Sequence, residues 1–102
     1  MGELKGKGAV IGRATGIARL PNDPEFKEGD IVVASMTVPD NVPVMKIAAG
    51  IATDRGSITC HAALIASEFG KPCVVATREA TKLKGKLVTI NVKGIREAGI
   101  TW

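Results

Sequence analysis

The stretch from Thr53 to Pro72 reads TDRGSITCHAALIASEFGKP and contains the only histidine of the chain, His61. Gly70 tolerates a left-handed helix cap and Pro72 cannot continue a helix, so together they predict where a helix ends. We therefore expect His61 in the first turn of an amphipathic helix, directly after a polar loop. The apolar residues that follow it have the i, i+3, i+4, i+7 spacing of such a helix: Ala62, Ile65, Ala66 and Phe69.

This position gives the imidazole of His61 a chemical context. A helix N-terminus offers unpaired backbone N–H groups and a partial positive charge, which favour an anion such as phosphate. A neutral imidazole, whose ordinary pKa is about 6.5, is a competent nucleophile near neutral pH. Arg55, six residues upstream, could add a bidentate contact to phosphate oxygens. These features predict a phosphorylation site at His61, although spacing alone also allows a structural histidine.

The sequence around His61 resembles a known family. The motif TCHAA at residues 59–63 is preceded by TDRG at 53–56 and followed by GKPCVV at 70–75. Together these segments resemble the phosphohistidine domain of phosphoenolpyruvate-utilising enzymes. This family includes phosphoenolpyruvate synthase and pyruvate phosphate dikinase. The upstream runs GDIVV (29–33) and MTVPD (36–40) also resemble phosphoenolpyruvate synthase, to which the match is nearest. The similarity extends roughly from residue 8 to residue 92.

The resemblance implies specific roles for residues of the central stretch. His61 would be the phosphorylated nucleophile, and Thr59 would orient its ring, contact the phosphate or cap the helix. Arg55, Gly56 and Ser57 would form the phosphate-binding loop. The family usually has a second glycine where Ser57 stands, and a serine hydroxyl could donate to a phosphate. The alanines at 62 and 63 would let a partner approach closely.

The resemblance also implies partners outside this chain. A carrier of this family would shuttle a phosphoryl group between an ATP site in a nucleotide-binding domain and a pyruvate or phosphoenolpyruvate site in a barrel domain. ATP and Mg²⁺ would belong to those companion domains, so this chain needs no cofactor of its own and would not be active alone. Two alternatives stay open: a regulatory or partner-binding module of the same fold, and the carrier of a related dikinase that acts on another small molecule.

Composition sets wider bounds. A chain of 102 residues, with 45% hydrophobic and 24% charged residues, is expected to form one globular domain over 1–102. No apolar run approaches the length of a membrane span, and the first residues have no signal-peptide pattern, so we expect a cytoplasmic protein. The net charge of +4 is scattered and tyrosine is absent, which argues against nucleic-acid binding.

The two cysteines do not indicate a disulfide framework or a metal site. Cys60 and Cys73, even with His61, supply only three soft ligands and lack the paired C-x-x-C spacing of zinc sites. Cys60 and His61 are sequence neighbours at a helix start, about 100° apart around the axis, so a cysteine nucleophile with a histidine base is unfavourable. We predict no bound metal and a buried Cys73.

Along the rest of the chain, short strands alternate with helices. Strands are predicted in two pieces between Gly6 and Leu20, at 31–34, 50–53, 73–76 and 87–92, with an edge strand in the tail from Lys93 to Trp102. A helix is predicted from Val42, capped by Asp40 or Asn41 and ending near Gly50. This alternation predicts a layered α/β domain. The resemblance refines it to a three-layer β/β/α swivelling fold.

Overall fold

The protein is described by a computed structural model that covers residues 2–102. Its two α-helices are α1 (Val42–Ile47) and α2 (His61–Phe69), and two short 3₁₀ turns lie at Pro39–Asn41 and Ala80–Leu83. The eight strands in chain order are β1 (Glu3–Lys5), β2 (Lys7–Val10), β3 (Gly12–Arg19), β4 (Ile31–Ala34), β5 (Gly50–Thr53), β6 (Cys73–Val75), β7 (Leu87–Gly94) and β8 (Glu97–Thr101).

The strands follow one another in the order β1-β8-β7-β3-β4-β5-β6-β2 and make two layers. Strand β3 joins the layers on one side, because Gly12–Ile17 pairs antiparallel with β7 whereas Ala18 and Arg19 pair in parallel with β4. Only Gly6 separates β1 from β2, which pair with β8 and β6 respectively and so join the layers on the other side. The result is an antiparallel sheet lying on a sheet whose central strands β4, β5 and β6 are parallel.

Strand β4 shows how the third layer is added. Its side chains are all buried, and they alternate between two hydrophobic cores. Ile31 and Val33 lie in the core between the two sheets, together with Val88, Ile90, Val92 and Ile100. Val32 and Ala34 lie in the core between the second sheet and the helices, together with Met45, Ile51, Ala62, Ala66, Cys73 and Val75. A strand with apolar residues on both faces is what a central layer requires, and the predicted three-layer β/β/α fold is confirmed.

Most elements agree with the sequence-based expectations. Helix α2 begins at His61 and ends at Phe69, and Gly70 follows it in the left-handed conformation with φ of 67°. The predicted strands at 31–34 and 50–53 are present, and the strand predicted at 73–76 ends one residue earlier, at Val75. Both β-like pieces before Leu20 are strands, β2 and β3.

The prediction that the first helix ends near Gly50 was wrong. Helix α1 ends at Ile47, Ala48 is extended with ψ of 151°, and Gly50 is already the first residue of β5. Pairing with Ile31 of β4 draws this residue into the sheet, and that long-range contact outweighs the weak local helical pattern. Asn41 holds the N-cap position of α1, but its side chain instead accepts a hydrogen bond from the Val38 N–H at 2.8 Å.

The predicted position of the tail strand at a sheet edge was also wrong. Strand β8 lies between β7 and β1, so β1 is the edge strand of that sheet. Leu4 of β1 pairs with Ile100 of β8, which brings the two ends of the chain together. None of the helices that the structure describes in residues 2–102 is long and apolar enough to cross a membrane.

The parallel arrangement of β4, β5 and β6 brings three loops to one edge of the sheet. The loops leave the carboxyl ends of these strands, and main-chain hydrogen bonds join them. The Asp54 N–H donates to the carbonyl of Ala34 at 2.9 Å, and the Thr77 N–H donates to the carbonyl of Thr53 at 3.1 Å. We call this side of the molecule the carboxyl edge, defined by residues 35–38, 54–60 and 76–79. Open α/β sheets commonly bind ligands at such an edge.

Candidate functional site

His61 lies at the carboxyl edge as the first residue of α2. Cys60 occupies the N-cap position in an extended conformation, and its side chain makes no capping hydrogen bond. The first helical hydrogen bond runs from the Leu64 N–H to the Cys60 carbonyl. The N–H groups of the first turn are therefore available to another acceptor. Ala62 and Ala63 are buried behind the half-buried ring.

The imidazole is held through one of its two nitrogens. Nδ1 of His61 lies 2.8 Å from Oγ1 of Thr37, a buried residue in the loop that follows β4. Nε2 makes no hydrogen bond to any residue in the part of the chain that the structure describes. The contact fixes the orientation of the ring and leaves one nitrogen free to react, since a hydrogen bond at one ring nitrogen sets the role of the other.

Sequence reasoning missed Thr37. Its run MTVPD contributed to the resemblance, but nothing in the local sequence distinguishes its hydroxyl from those of Thr53, Thr59 or Thr77. The only signal was its position directly after a buried strand, at the edge to which β5 also delivers His61. That signal needs the strand order, which requires the pairing of β4 with β5.

Thr59, which was predicted to orient the ring, makes no hydrogen bond to His61. Its side chain is exposed, and its Oγ1 lies 3.1 Å from Oγ of Ser57. The Thr59 N–H also donates to that Ser57 oxygen at 3.3 Å. The expectation that Thr59 caps α2 is wrong, because Cys60 is the cap residue. The hydroxyl that contacts the ring is that of Thr37, whereas Ser57 and Thr59 form a small exposed pair in the loop before it.

Gly56 and Arg55 shape the same loop. Gly56 has φ of 122°, and a Cβ atom placed there would lie 3.0 Å from Sγ of Cys60, so this position requires glycine. The backbone of Arg55 is fixed, since its N–H donates to the carbonyl of Ser35 at 3.1 Å. Its side chain is exposed and forms no ion pair within residues 2–102.

The base of this loop is anchored to the chain that follows β6. The carboxylate of Asp54 accepts hydrogen bonds from the N–H of Thr81 at 2.9 Å and from its hydroxyl at 2.7 Å. Buried Thr77 donates its hydroxyl to the carbonyl of Thr53 at 3.0 Å. The predicted phosphate loop is thus rigid at its base while its side chains stay open to solvent.

Four exposed apolar residues lie in the loop after β4, in the loop before α2 and in α2 itself. Met36 and Val38 flank Thr37, Ile58 lies in the loop before α2, and Leu64 lies one turn along the helix from His61. Their exposed fractions are 37%, 51%, 43% and 61%. We call these four residues the apolar rim. Exposed apolar residues that lie close together and are bordered by polar ones are typical of a surface that meets a protein partner.

The cysteines take no part in the arrangement around the ring. Both are free, and Cys73 is buried in strand β6. Burial, with a smaller contribution from nearby Cys60, raises the pKa of the Cys73 thiol to about 12, so it stays protonated and unreactive near neutral pH. Among the described residues there is no group of three or more His, Cys, Asp or Glu side chains that could hold a metal ion.

The chain is similar in sequence to a described protein family and to curated proteins. Residues 26–95 match the model of the family described as PEP-utilising enzyme, mobile domain. A probable phosphoenolpyruvate synthase of Archaeoglobus fulgidus is 45% identical over 97% of this chain and 13% of its own length. The phosphoenolpyruvate synthase of Pyrococcus furiosus is 47% identical over 91% of this chain and 12% of its own length. The chain therefore spans only about an eighth of these curated relatives.

Solved structures support the fold. A solution structure of Enzyme I has 26% identity and a TM-score of 0.54 over 76% of this chain and 33% of that one. The holo form of aconitase X from Thermococcus kodakaraensis has a TM-score of 0.65 over the full length of both chains, at 19% identity. At that identity the second likeness concerns the fold alone.

Proposed function

The chain belongs to the family of PEP-utilising enzyme mobile domains and is related to phosphoenolpyruvate synthase, and from this premise we propose that it is a phosphohistidine carrier. In this proposal His61 accepts a phosphoryl group at one companion site and delivers it at another. The observation that carries the proposal is the held ring at a helix N-terminus: Thr37 contacts Nδ1 at 2.8 Å, while Nε2 faces no partner within residues 2–102.

The hydrogen bond also favours one reacting nitrogen. When Nδ1 carries the ring proton and donates it to Oγ1 of Thr37, Nε2 has a free lone pair. Nε2 then attacks the phosphorus of the donor, the phosphorus–oxygen bond to the leaving group breaks, and a phosphorus–nitrogen bond forms. With phosphoenolpyruvate as donor, the enolate released takes a proton from solvent and becomes pyruvate. With ATP as donor, Nε2 attacks the β-phosphorus and AMP leaves, so the ring carries a pyrophosphoryl group. Water then attacks the terminal phosphorus and releases inorganic phosphate, which leaves one phosphoryl group on Nε2 while Nδ1 keeps its proton throughout.

Groups around the ring would stabilise the phosphorylated state moderately. The first-turn N–H groups of α2 and the helix dipole favour the added negative charge by roughly 0.3–1 kcal/mol. Exposed Arg55 can add a bidentate contact, and the Ser57 and Thr59 hydroxyls can donate to phosphate oxygens. Modest stabilisation suits a carrier, because a group held too tightly would not be passed on.

The proposal requires partners that bind the donor and the acceptor. We assign these roles to a nucleotide-binding domain, which would hold ATP and Mg²⁺, and to a barrel domain for pyruvate or phosphoenolpyruvate. Tethering to such domains would make each encounter effectively intramolecular. The apolar rim is suited to docking against them. Ala62 and Ala63, which were expected to let a partner approach closely, are buried and do not face a partner. We propose that residues 1–102 move as one domain and that the chemistry takes place in the cytoplasm.

A labelling experiment tests this function. The chain is incubated with the companion domains and either phosphoenolpyruvate labelled in its phosphate or ATP labelled at the β position. We expect label that is lost in acid and retained in base, as for a phosphorus–nitrogen bond, and that is absent from His61→Ala. A Ser67→Ala control, at an exposed position of α2 outside the phosphate loop, should keep the label.

Two results would contradict the carrier role. Equal labelling of wild type and His61→Ala would place the phosphate on another residue. Absence of label from a folded wild-type chain would favour the alternative of a regulatory or partner-binding module. Label on His61 that passes to neither pyruvate nor AMP would point to the carrier of a dikinase with another acceptor.

A further inference from the structure

Two residues of the loop after β6 adopt a backbone conformation that side chains normally avoid. Ala76 has φ of 58° and Arg78 has φ of 72°, and they are the only non-glycine residues with positive φ in the part of the chain that the structure describes. Glycine adopts this left-handed conformation freely, whereas a Cβ atom makes it unfavourable. Strained positions of this kind concentrate at functional sites.

The surrounding hydrogen bonds hold Arg78 in this conformation. Its N–H donates to the carbonyl of Asp54 at 2.8 Å, and the preceding Thr77 is buried and bonded to the carbonyl of Thr53. The Ala80 N–H donates to the hydroxyl of Thr77 at 3.2 Å. These contacts use only the backbone of Arg78. Its side chain is exposed and forms no hydrogen bond or ion pair within residues 2–102, so packing does not account for an arginine here.

The bond to Asp54 places Arg78 beside Arg55. Only one hydrogen bond and one peptide unit separate the two residues, so their Cα atoms lie within about 7 Å of each other. The two exposed guanidinium side chains therefore start from adjacent points of the carboxyl edge. The acidic residues next to them in sequence have other partners, because Asp54 binds Thr81 and Glu79 pairs with Lys82 at 2.9 Å. The pair thus lacks a neutralising partner among the described residues.

A partner that reaches His61 would also cover this pair. Each side of a typical protein interface buries about 800 Å², a disc of about 16 Å radius, while the whole molecule measures 32 × 30 × 19 Å. A phosphoryl donor in the partner's site carries negatively charged oxygens, and paired guanidinium groups bind such oxygens strongly because their N–H groups match the geometry of phosphate.

We propose that Arg78, together with Arg55, binds phosphate oxygens of the donor held in the companion domain when that domain docks on His61. This inference rests on the proposed carrier function and assigns to Arg78 a role in donor recognition. This role would explain why an arginine occupies a left-handed position at which the backbone conformation favours glycine.

The test compares Arg78→Gly with a matched control, Ala76→Gly. Both substitutions remove a Cβ atom from a left-handed residue, and only the first removes a guanidinium. Each should raise the thermal midpoint of the chain by about 2–5 °C, since strain is relieved. The rate of His61 phosphorylation by phosphoenolpyruvate in the presence of the companion domains should fall about tenfold or more in Arg78→Gly and stay within about twofold of wild type in Ala76→Gly.

Binding measurements identify the anion that Arg78 meets. We expect Arg78→Gly to weaken binding of the companion domain loaded with phosphoenolpyruvate and to leave binding of the empty domain unchanged. Arg78→Lys, which keeps the charge but loses the planar fork, should restore only part of the rate. Equal rates for Arg78→Gly and Ala76→Gly would overturn the inference while the carrier function stands.

The inference would also be overturned if Arg78→Gly weakened binding of the empty and the loaded companion domain equally. Arg78 would then contact acidic groups of that domain rather than the donor. If wild type and Ala76→Gly both fail to label at His61, the carrier function itself fails and this inference fails with it.

Discussion

At the scale of single residues, the site depends on the contact between Thr37 and His61. The buried hydroxyl lies 2.8 Å from Nδ1 and fixes which nitrogen faces solvent. Thr37→Val keeps the shape of the side chain and removes this contact, so the ring loses its fixed orientation. We expect the rate of His61 phosphorylation to fall about two- to tenfold, which corresponds to the roughly 0.5–1.5 kcal/mol of one hydrogen bond.

Thr37→Ser serves as the control for this prediction, because it keeps a hydroxyl at the same position. Its phosphorylation rate, measured as label incorporated per minute, should stay close to that of wild type. A Thr37→Val chain that folds normally and is labelled as fast as wild type would show that the contact does not position the ring.

The position of His61 and of part of its loop could be predicted from the sequence, whereas its reactivity stays a prediction. His61, Arg55, Gly56 and Ser57 lie where the motif and the helix pattern predicted, at a loop leading into a helix start. Thr37 and Arg78 could not be found in this way, because each reaches the site through pairing between distant segments. The left-handed backbone of Arg78 could not be predicted either, because glycine is the residue that usually indicates this conformation.

At the scale of elements, helix α2 depends on its C-terminal cap. Gly70 adopts φ of 67° and its N–H bonds to carbonyls of the last turn. Gly70→Ala should lower the free energy of unfolding by about 1 kcal/mol, because a Cβ atom disfavours the left-handed conformation. Denaturant titration measures this loss. Gly70→Asn should cost less, since asparagine tolerates that conformation, and an alanine variant as stable as wild type would contradict the account.

Helices and strands were predicted correctly where the local sequence pattern is strong. Their ends were predicted wrongly where pairing between distant strands determines them. The periodicity after His61 defined α2 at both ends, and continuous apolar runs marked β4 and β6. Helix α1 was predicted too long because Gly50 has a local context compatible with a helix end but pairs with Ile31 in the sheet. The strand at 50–53 was itself predicted, but its pairing with β4, about twenty positions away, is not visible in a local window, so the helix before it was predicted to end too late.

At the scale of the whole molecule, the two sheets are closed by close backbone contacts near Gly8. A Cβ atom at Gly8 would clash with the carbonyl oxygen of Gly94 and would lie 2.6 Å from Cγ1 of Val92. Gly8→Ala must therefore separate β2 from β7, and we expect it to lower the free energy of unfolding by roughly 1–3 kcal/mol, as overpacking does. Thermal or denaturant unfolding measures the change.

Gly94→Ala is the matched control for the same seam, because a Cβ atom there meets nothing within 4 Å. It should unfold within about 0.5 kcal/mol of wild type, as is usual for surface substitutions. If Gly8→Ala proved as stable as Gly94→Ala, the closure of the two sheets at this point would be wrong.

The strand order of the whole molecule could not be predicted from the sequence pattern. Alternating strands and helices predicted a layered α/β domain, and the family resemblance supplied the β/β/α architecture. That β8 lies inside its sheet, covered by β1 at the edge, follows from the pairing of the chain's two ends. Long-range pairing of this kind also builds the carboxyl edge, on which His61, Thr37, Arg55 and Arg78 meet.

The central claim, that His61 carries phosphorus on Nε2, is tested most directly by nuclear magnetic resonance of the phosphorylated chain with ¹⁵N in its single imidazole. The account predicts coupling of ³¹P to Nε2, while the Nδ1 proton stays protected by its bond to Thr37. Coupling to Nδ1, or phosphorus on any residue other than His61, would contradict it.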